Sequence, residues 1–288
     1  MKKTSQKRIN KYLHEKKRLI DENLNKYLPK ASTYPYSIHQ AMRYSIFSGG
    51  KRLRPILAMA AAEVGRGNQK VVLPAACAIE LIHAFSLIHD DLPALDNDDF
   101  RRGKSSCHRA FGEDIAILAG DALLIFGFQL LGESERIGQS FLNPGVLIKE
   151  MAGAIGSEGM IGGQVVDLES QRRKIGPKEL VYIHEHKTAA LITAALRIGG
   201  IIGRVSSREL KSLTNFGQAM GLSFQIMDDL LDEKEAKKGA SYLNRMGREK
   251  ARAKIQESTL KAEGSLRPLG RRGDILKAIN EVMMKRLK

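Results

Sequence analysis

The run from Val71 to Ile88 is apolar nearly throughout, and it leads directly into acid: Asp90, Asp91, Asp96, Asp98 and Asp99, followed at once by Arg101 and Arg102. Pro93 must end or kink a helix there. Carboxylates this close repel one another in any fold, and burial raises that penalty. The cluster is therefore stable only if cations join it or if it lies wholly in water. A bivalent metal holding an anionic substrate would settle the repulsion and also employ both arginines. Glu80 and His83 inside the apolar run, and Arg197 inside the one from Ala189 to Gly203, mark these as core helices rather than membrane spans.

The remaining chain reads as further helices. Of its 288 residues 43% are hydrophobic, enough for a sizeable core, and with no Trp and only 8 Pro a mostly helical fold follows. Apolar periodicity predicts helices over 5–28, through Ile38, Met42 and Ile46, over 51–64 and 71–90, and then over 114–132, 145–169, 177–203, 206–232, 240–263 and 273–287. No linker or repeat interrupts them, so residues 1–288 are expected to form one all-α domain. Cys77 and Cys107 make no ligand pattern and read as reduced bystanders in a cytoplasmic protein. MKKTSQKRIN has no apolar stretch of a secretory signal. The net charge of +15 is concentrated in residues 1–30 and 233–288, which carry +7 and +9. That excess lies on helices with few aromatics and matches no nucleic-acid module, so solvated helix faces are expected and no nucleic-acid partner.

Three other constellations carry chemistry. Gln225, Asp228, Asp229 and Asp232 share one face of a helix, at offsets 0, 3, 4 and 7. Asp228 and Asp232 are a like-charge pair one turn apart, flanked by Phe224, Ile226, Met227, Leu230 and Leu231, and carboxylates set into an interior suit hard Mg²⁺. In Gly49-Gly50-Lys51-Arg52-Leu53-Arg54-Pro55, Lys51 and Arg54 open a helix, where positive charge opposes the macrodipole unless an anion docks. The pattern is not a P-loop. Lys187 and Thr188 set a cation and a hydroxyl beside an apolar helix; Gln164 and Asp167 share a helical face behind Gly162-Gly163. His184 and His186, two apart, diverge on a helix and do not chelate together.

Taken in order, GGKRLRP, HAFSLIHDDLPALDNDDFRRG, LAGDALL, GGQVVDL, HKTAAL and FQIMDDLLD resemble the trans-isoprenyl diphosphate synthases, most closely the bacterial short-chain farnesyl and geranylgeranyl diphosphate synthases. The resemblance runs from about Tyr36 to Asp232. It implies a bundle of ten or more helices around a central cavity, a homodimer without stable membrane insertion, and condensation of an allylic diphosphate with isopentenyl diphosphate using several Mg²⁺ ions. It assigns Asp90, Asp91, Asp96, Asp228, Asp229 and Asp232 to metal, and Arg101, Lys187 and Gln225 to the allylic diphosphate. Lys51, Arg54, His83 and Arg102 fall to isopentenyl diphosphate. Thr188 and Gln225 would turn oxygen dipoles to the developing cation and, with Lys187, form the catalytic set. Phe85 and Ser86, five and four residues before Asp90, would floor the product cavity, with Phe85 stopping the chain at C15; C20 is the alternative.

Beyond Asp232 the chain departs from that family. The loop that leads to a KxTYP-like segment is markedly shorter here, so Lys234, Lys237 and Lys238 compete for the role of the lid lysine, and a naturally clipped lid competes with a loop missing from the sequence. A clipped lid would suit a regulatory or inactive synthase subunit. Such a subunit is expected to lack one acidic cluster, and a terpene cyclase to lack the second cluster and GGKRLRP, whereas both clusters and that segment are present.

Overall fold

The computed structural model describes residues 3–133, 143–173, 175–231 and 241–285, and these are almost entirely helical. By mutual contact they fall into two compact units, Met1–Ile56 with Lys70–Pro144 and Leu57–Gln69 with Gly145–Lys288.

In the first unit, α1 (Lys3–Tyr27) turns Ile9, Ile20 and Leu24 inward, as their spacing requires. Helix α2 (Tyr36–Phe47) buries Ala41, Met42 and Ile46 and stops before Gly49 and Gly50, both at positive φ. Next come α3 (Leu53–Val64), which continues into the second unit, and α4 (Gln69–Asp90), which is buried along almost all of its length from Val72 to Phe85. The described residues hold one hairpin that the sequence reading did not anticipate: β1 (Phe100–Arg101) pairs with β2 (Lys104–Ser105) in antiparallel register. Its two turn residues, Arg102 and Gly103, have φ of 55° and 78°, the signature of a type I′ turn. After α5 (Cys107–Phe111), α6 (Glu113–Glu133) begins with Glu113 and Asp114, which oppose the positive end of its dipole.

The second unit corrects three expected helices. The one predicted over 145–169 is two, α7 (Pro144–Ile155) and α8 (Met160–Arg172), because Gly156-Ser157-Glu158-Gly159 leaves helical backbone. The one predicted over 177–203 is α9 (Pro177–Ile183), a single π-helical turn over His184–Ala189, and α10 (Ala190–Ile202). Helix α11 (Ser207–Leu231) agrees with expectation. The helix predicted over 240–263 breaks at Gly247, φ 81°, into α12 (Tyr242–Met246) and α13 (Arg248–Ser265). A 3₁₀ stretch (Arg267–Gly273) then leads to α14 (Asp274–Met284). Ile226, Met227 and Leu230 of α11 pack with Leu180, Tyr242 and Ile255 in one buried cluster.

Candidate active site

Where α4 ends, Pro93 prevents continuation and the chain folds back on itself. The amide of Asp96 donates to the Asp90 carbonyl (2.9 Å), and that of Asp98 to the Asp91 carbonyl (3.2 Å). Five acidic residues thus surround one tight turn. The hairpin beside it delivers Arg101, whose Nε donates to Asp91 Oδ1 (2.8 Å) while Nη2 reaches both Asp91 and Asp98, the latter at 3.0 Å. Burial pushes the Asp91 carboxyl upward, with Asp98 and Asp96 adding to the rise and Arg101 opposing it. Asp98 is a second partner of Arg101, and Asp99 takes Arg109 at 2.5 Å.

The basic side lies on the same helix. His83 Nε2 is 3.2 Å from Arg54 Nη1, so the imidazole is the acceptor and the guanidinium the donor. Burial holds the His83 pKa well below its ordinary value, and Arg54, Arg102, Arg52 and Arg101 all push it the same way. A neutral histidine among guanidinium groups is a region suited to an anion. Arg102, from the hairpin turn, donates from Nη1 to the Gly49 carbonyl at 2.5 Å. That same nitrogen lies 2.5 Å from where a Cβ on Gly50 would stand, and Gly50 has φ 116°, so the backbone favours glycine and a side chain there would displace the Arg102 guanidinium. Lys51 is exposed beside it. Arg52, between Lys51 and Arg54, turns inward instead: it is 3% exposed and pairs with Glu80 and Asp21, each at 2.8 Å. Phe85 is buried, while Ser86 Oγ turns back to the His83 carbonyl at 3.0 Å.

The second unit is wired differently. In the π-turn, Lys187 Nζ donates to Asp167 Oδ2 (2.7 Å). Thr188 Oγ1 donates to Gln225 Oε1 (2.6 Å), and Gln225 Nε2 to Asp229 Oδ1 (3.0 Å). The other Asp229 oxygen accepts the Tyr242 amide (3.0 Å), with His184 Nε2 at 3.7 Å. Burial lowers the His184 pKa, against the pull of Asp229 and Asp167. His186 goes elsewhere, bonding the Tyr182 carbonyl (2.7 Å) and stacking on the Tyr182 ring, so the two histidines do diverge. Both amide atoms of Gln164 are buried without a hydrogen-bond partner among the described residues. Asp228 is the more exposed of the Asp228-Asp229 pair. Asp232, Lys234, Lys237 and Lys238 lie outside the described residues.

Among the described residues no three His, Cys, Asp or Glu side chains converge on one ion-sized point. The donor set still fits Mg²⁺. It is all oxygen, burial together with Asp98 and Asp96 pushes the Asp91 carboxyl up, and Mg²⁺ takes one or two carboxylates and completes its shell from phosphate oxygens and water.

A model of the polyprenyl synthetase family matches residues 35–241, which include every residue placed above in the acid turn, the basic cluster and the π-turn network save Asp21 and Tyr242. The chain belongs to the polyprenyl synthetase family. Among curated members of that family it is 45% identical over 233 residues to the heterodimeric geranylgeranyl pyrophosphate synthase large subunit 1 of Arabidopsis thaliana, covering 79% of this chain and 62% of the relative. It is 43% identical over 226 residues to the farnesyl diphosphate synthase of Geobacillus stearothermophilus, covering 78% and 75%. The chain spans between 56% and 62% of the length of the first plant synthases it matches. Among solved structures, an FPP/GFPP synthase of Zymomonas mobilis superposes with a TM-score of 0.89 at 35% identity, over 96% of this chain and 98% of that one.

Proposed function

We propose that the chain is a Mg²⁺-dependent prenyltransferase that condenses dimethylallyl or geranyl diphosphate with isopentenyl diphosphate, working as a single domain over residues 1–288. The observation that carries this reading is the double endowment of α4. Over the nine residues from His83 to Asp91 its C-terminal end presents His83, neutral and bonded to Arg54, and the Asp90-Asp91 pair with Arg101. Asp90, Asp91 and Asp96, with Asp228, Asp229 and Asp232, are the proposed metal ligands. Bound Mg²⁺ would neutralise the charge that gathers on the departing diphosphate.

The residues' own part follows from the reaction. The allylic C–O bond breaks with its electron pair staying on diphosphate, where Arg101 and Lys187 offer N–H donors. The isopentenyl double bond then attacks the allylic carbon while Lys51, Arg54, His83 and Arg102 hold its diphosphate. Thr188 and Gln225 present oxygen dipoles to the passing cation. A diphosphate oxygen accepts the last proton, and the new double bond closes.

Farnesyl diphosphate is the proposed product, a reading supported by Phe85, a buried aromatic about one and a half turns before Asp90 on α4, where it would floor the product cavity. Geranylgeranyl diphosphate is the second reading, supported by the names of the plant relatives. A homodimer is supported by α6, whose Ile117, Leu118 and Ile125 are 44%, 52% and 68% exposed. Both α4 and α6 are long and apolar enough to cross a membrane, but α4 is mostly buried inside the protein and α6 has this other use. A cytoplasmic location without stable membrane insertion completes the proposal, in line with two buried free cysteines. The test is incubation with labelled isopentenyl diphosphate, each allylic primer and Mg²⁺. A prenyl product that disappears on chelation is expected, and absence of product with every primer would overturn the reading.

A further inference from the structure

We infer that His89 is a positioning residue for product length, acting through Phe85; the inference rests on the reading of Phe85 as the cavity floor. Phe85 and His89 are four apart on α4 and so share a face. Their rings meet edge to face, with centroids 5.1 Å apart and planes at 81°. His89 is in turn seated on α6. Its Nε2 lies 3.1 Å from the Ile117 carbonyl, a hydrogen bond in which the imidazole N–H donates. Behind the ring stands Gly120, where a Cβ would come within 2.2 Å of Nε2 and 2.5 Å of Cδ2. The histidine ring therefore fills the space that a side chain at 120 would need.

The consequence is a stack of three layers, α6 backbone, His89 ring and Phe85 ring. A floor residue limits chain growth only if it resists the growing chain. Phe85 turns about two side-chain bonds, so a neighbour packed on its ring restricts the rotamers open to it. His89 backs it, because its own ring is fixed by the Ile117 carbonyl and by the missing Cβ at Gly120. The acid turn begins at the next residue, so one side chain links the metal-binding end of α4 to the depth of the cavity beneath it.

Three variants separate ring from hydrogen bond. His89→Phe keeps the ring and loses the bond, His89→Gln keeps an N–H for Ile117 and loses the ring, and His89→Ala loses both. The readout is the C20-to-C15 product ratio with geranyl diphosphate as primer. His89→Gln and His89→Ala should raise it about fivefold or more, ~1 kcal/mol at 1.36 kcal/mol per tenfold, which is the size of one aromatic edge-to-face contact. His89→Phe, which keeps the ring and loses its anchor on Ile117, should raise it less than either. A purely structural role would lower rate or melting temperature in all three without moving the ratio. Unchanged ratios in His89→Gln and His89→Ala overturn the inference. Should both be folded but inactive, relative binding of C15 and C20 thiodiphosphate analogues replaces turnover, with preference moving toward C20 expected and no movement fatal. A wild-type protein that makes no prenyl product defeats the proposed function instead.

Discussion

The acid turn at the end of α4 and the aspartates at the end of α11 hold carboxylates by different means. At α4 the compensation is ionic: Arg101 spans Asp91 and Asp98, and the Asp91 carboxyl is pushed up by burial and by its acidic neighbours. At α11 it is dipolar: Asp229 accepts from Gln225 and from the Tyr242 amide, and Gln225 in turn accepts from Thr188. An ionic arrangement leaves unrelieved repulsion that a metal can remove, so it is built to respond to a cation. A hydrogen-bonded one is held in place before any cation arrives, so it also contributes to the fold. Substitutions at both places should cost activity, and only those at α11 should cost stability as well.

Asp91→Asn gives the largest expected effect. Prenyl transfer should fall by about 10³-fold, the order seen when one charge-stabilising group is removed from an active site. Stability should not fall with it, since the charge being removed is one that burial already disfavours and Arg101 keeps Asp98. Steady-state rates at saturating Mg²⁺ beside a thermal melt read both quantities. A large fall in melting temperature with modest loss of rate would reverse the assignment of roles between the two regions.

Asp229→Asn should behave the other way. One of its two amide-facing oxygens becomes an NH₂ that meets a donor, either Gln225 Nε2 or the Tyr242 N–H. The expected cost is about 2 kcal/mol of unfolding free energy, measurable in urea, together with a loss of activity. Unchanged stability would mean that the Tyr242 contact carries no weight and that α12 is held by its apolar packing alone.

How far these two regions can be read from sequence differs for the same physical reason. The acid turn is visible because its charges are consecutive, and repulsion between neighbours needs no fold to be predicted. Gln225, Asp228 and Asp229 are visible because helical periodicity puts them on one face. The π-turn is not visible: HEHKTA has ordinary helical composition, and the extra residue shows only in where Lys187 and Thr188 reach, to Asp167 and Gln225. The hairpin escapes because strands of two residues have no alternation to read, although Arg102-Gly103 was available as a turn signal. Within Lys51-Arg52-Leu53-Arg54 the spacing cannot say which cation turns inward. That is decided by Glu80 and Asp21, distant in sequence, whose carboxylates both pair with Arg52. All-helical class and the motif order were legible; pairing across the chain was not.

The basic cluster sharpens the comparison through pH. The folded-state pKa of His83 lies well below its ordinary value, so the unfolded chain takes up a proton first as pH falls. Its contribution to stability is present in full above about pH 6.5 and is lost as pH drops toward the folded value, at up to ~1.4 kcal/mol per pH unit. His83→Gln should remove that slope from urea midpoints measured between pH 7 and pH 5. An identical slope in the variant would show that the imidazole is not held neutral by its burial and by Arg54 and its neighbours.

The smallest effect is expected at Asp98. Its bond to Arg101 joins two partly exposed side chains three residues apart, 16% and 28% accessible, so Asp98→Asn should cost only ~0.5 kcal/mol of stability. Its value to the site is conditional. While Arg101 also holds Asp91, losing Asp98 is cushioned; once a cation occupies Asp91, Asp98 is the carboxylate left to orient the guanidinium. The variant should therefore raise the KM for the allylic diphosphate severalfold while kcat changes little, and Asp98→Glu should partly restore it. Equal falls in kcat and kcat/KM would place the Asp98 contact in the transition state instead, and the ionic region would then contain no residue whose work is only to orient another.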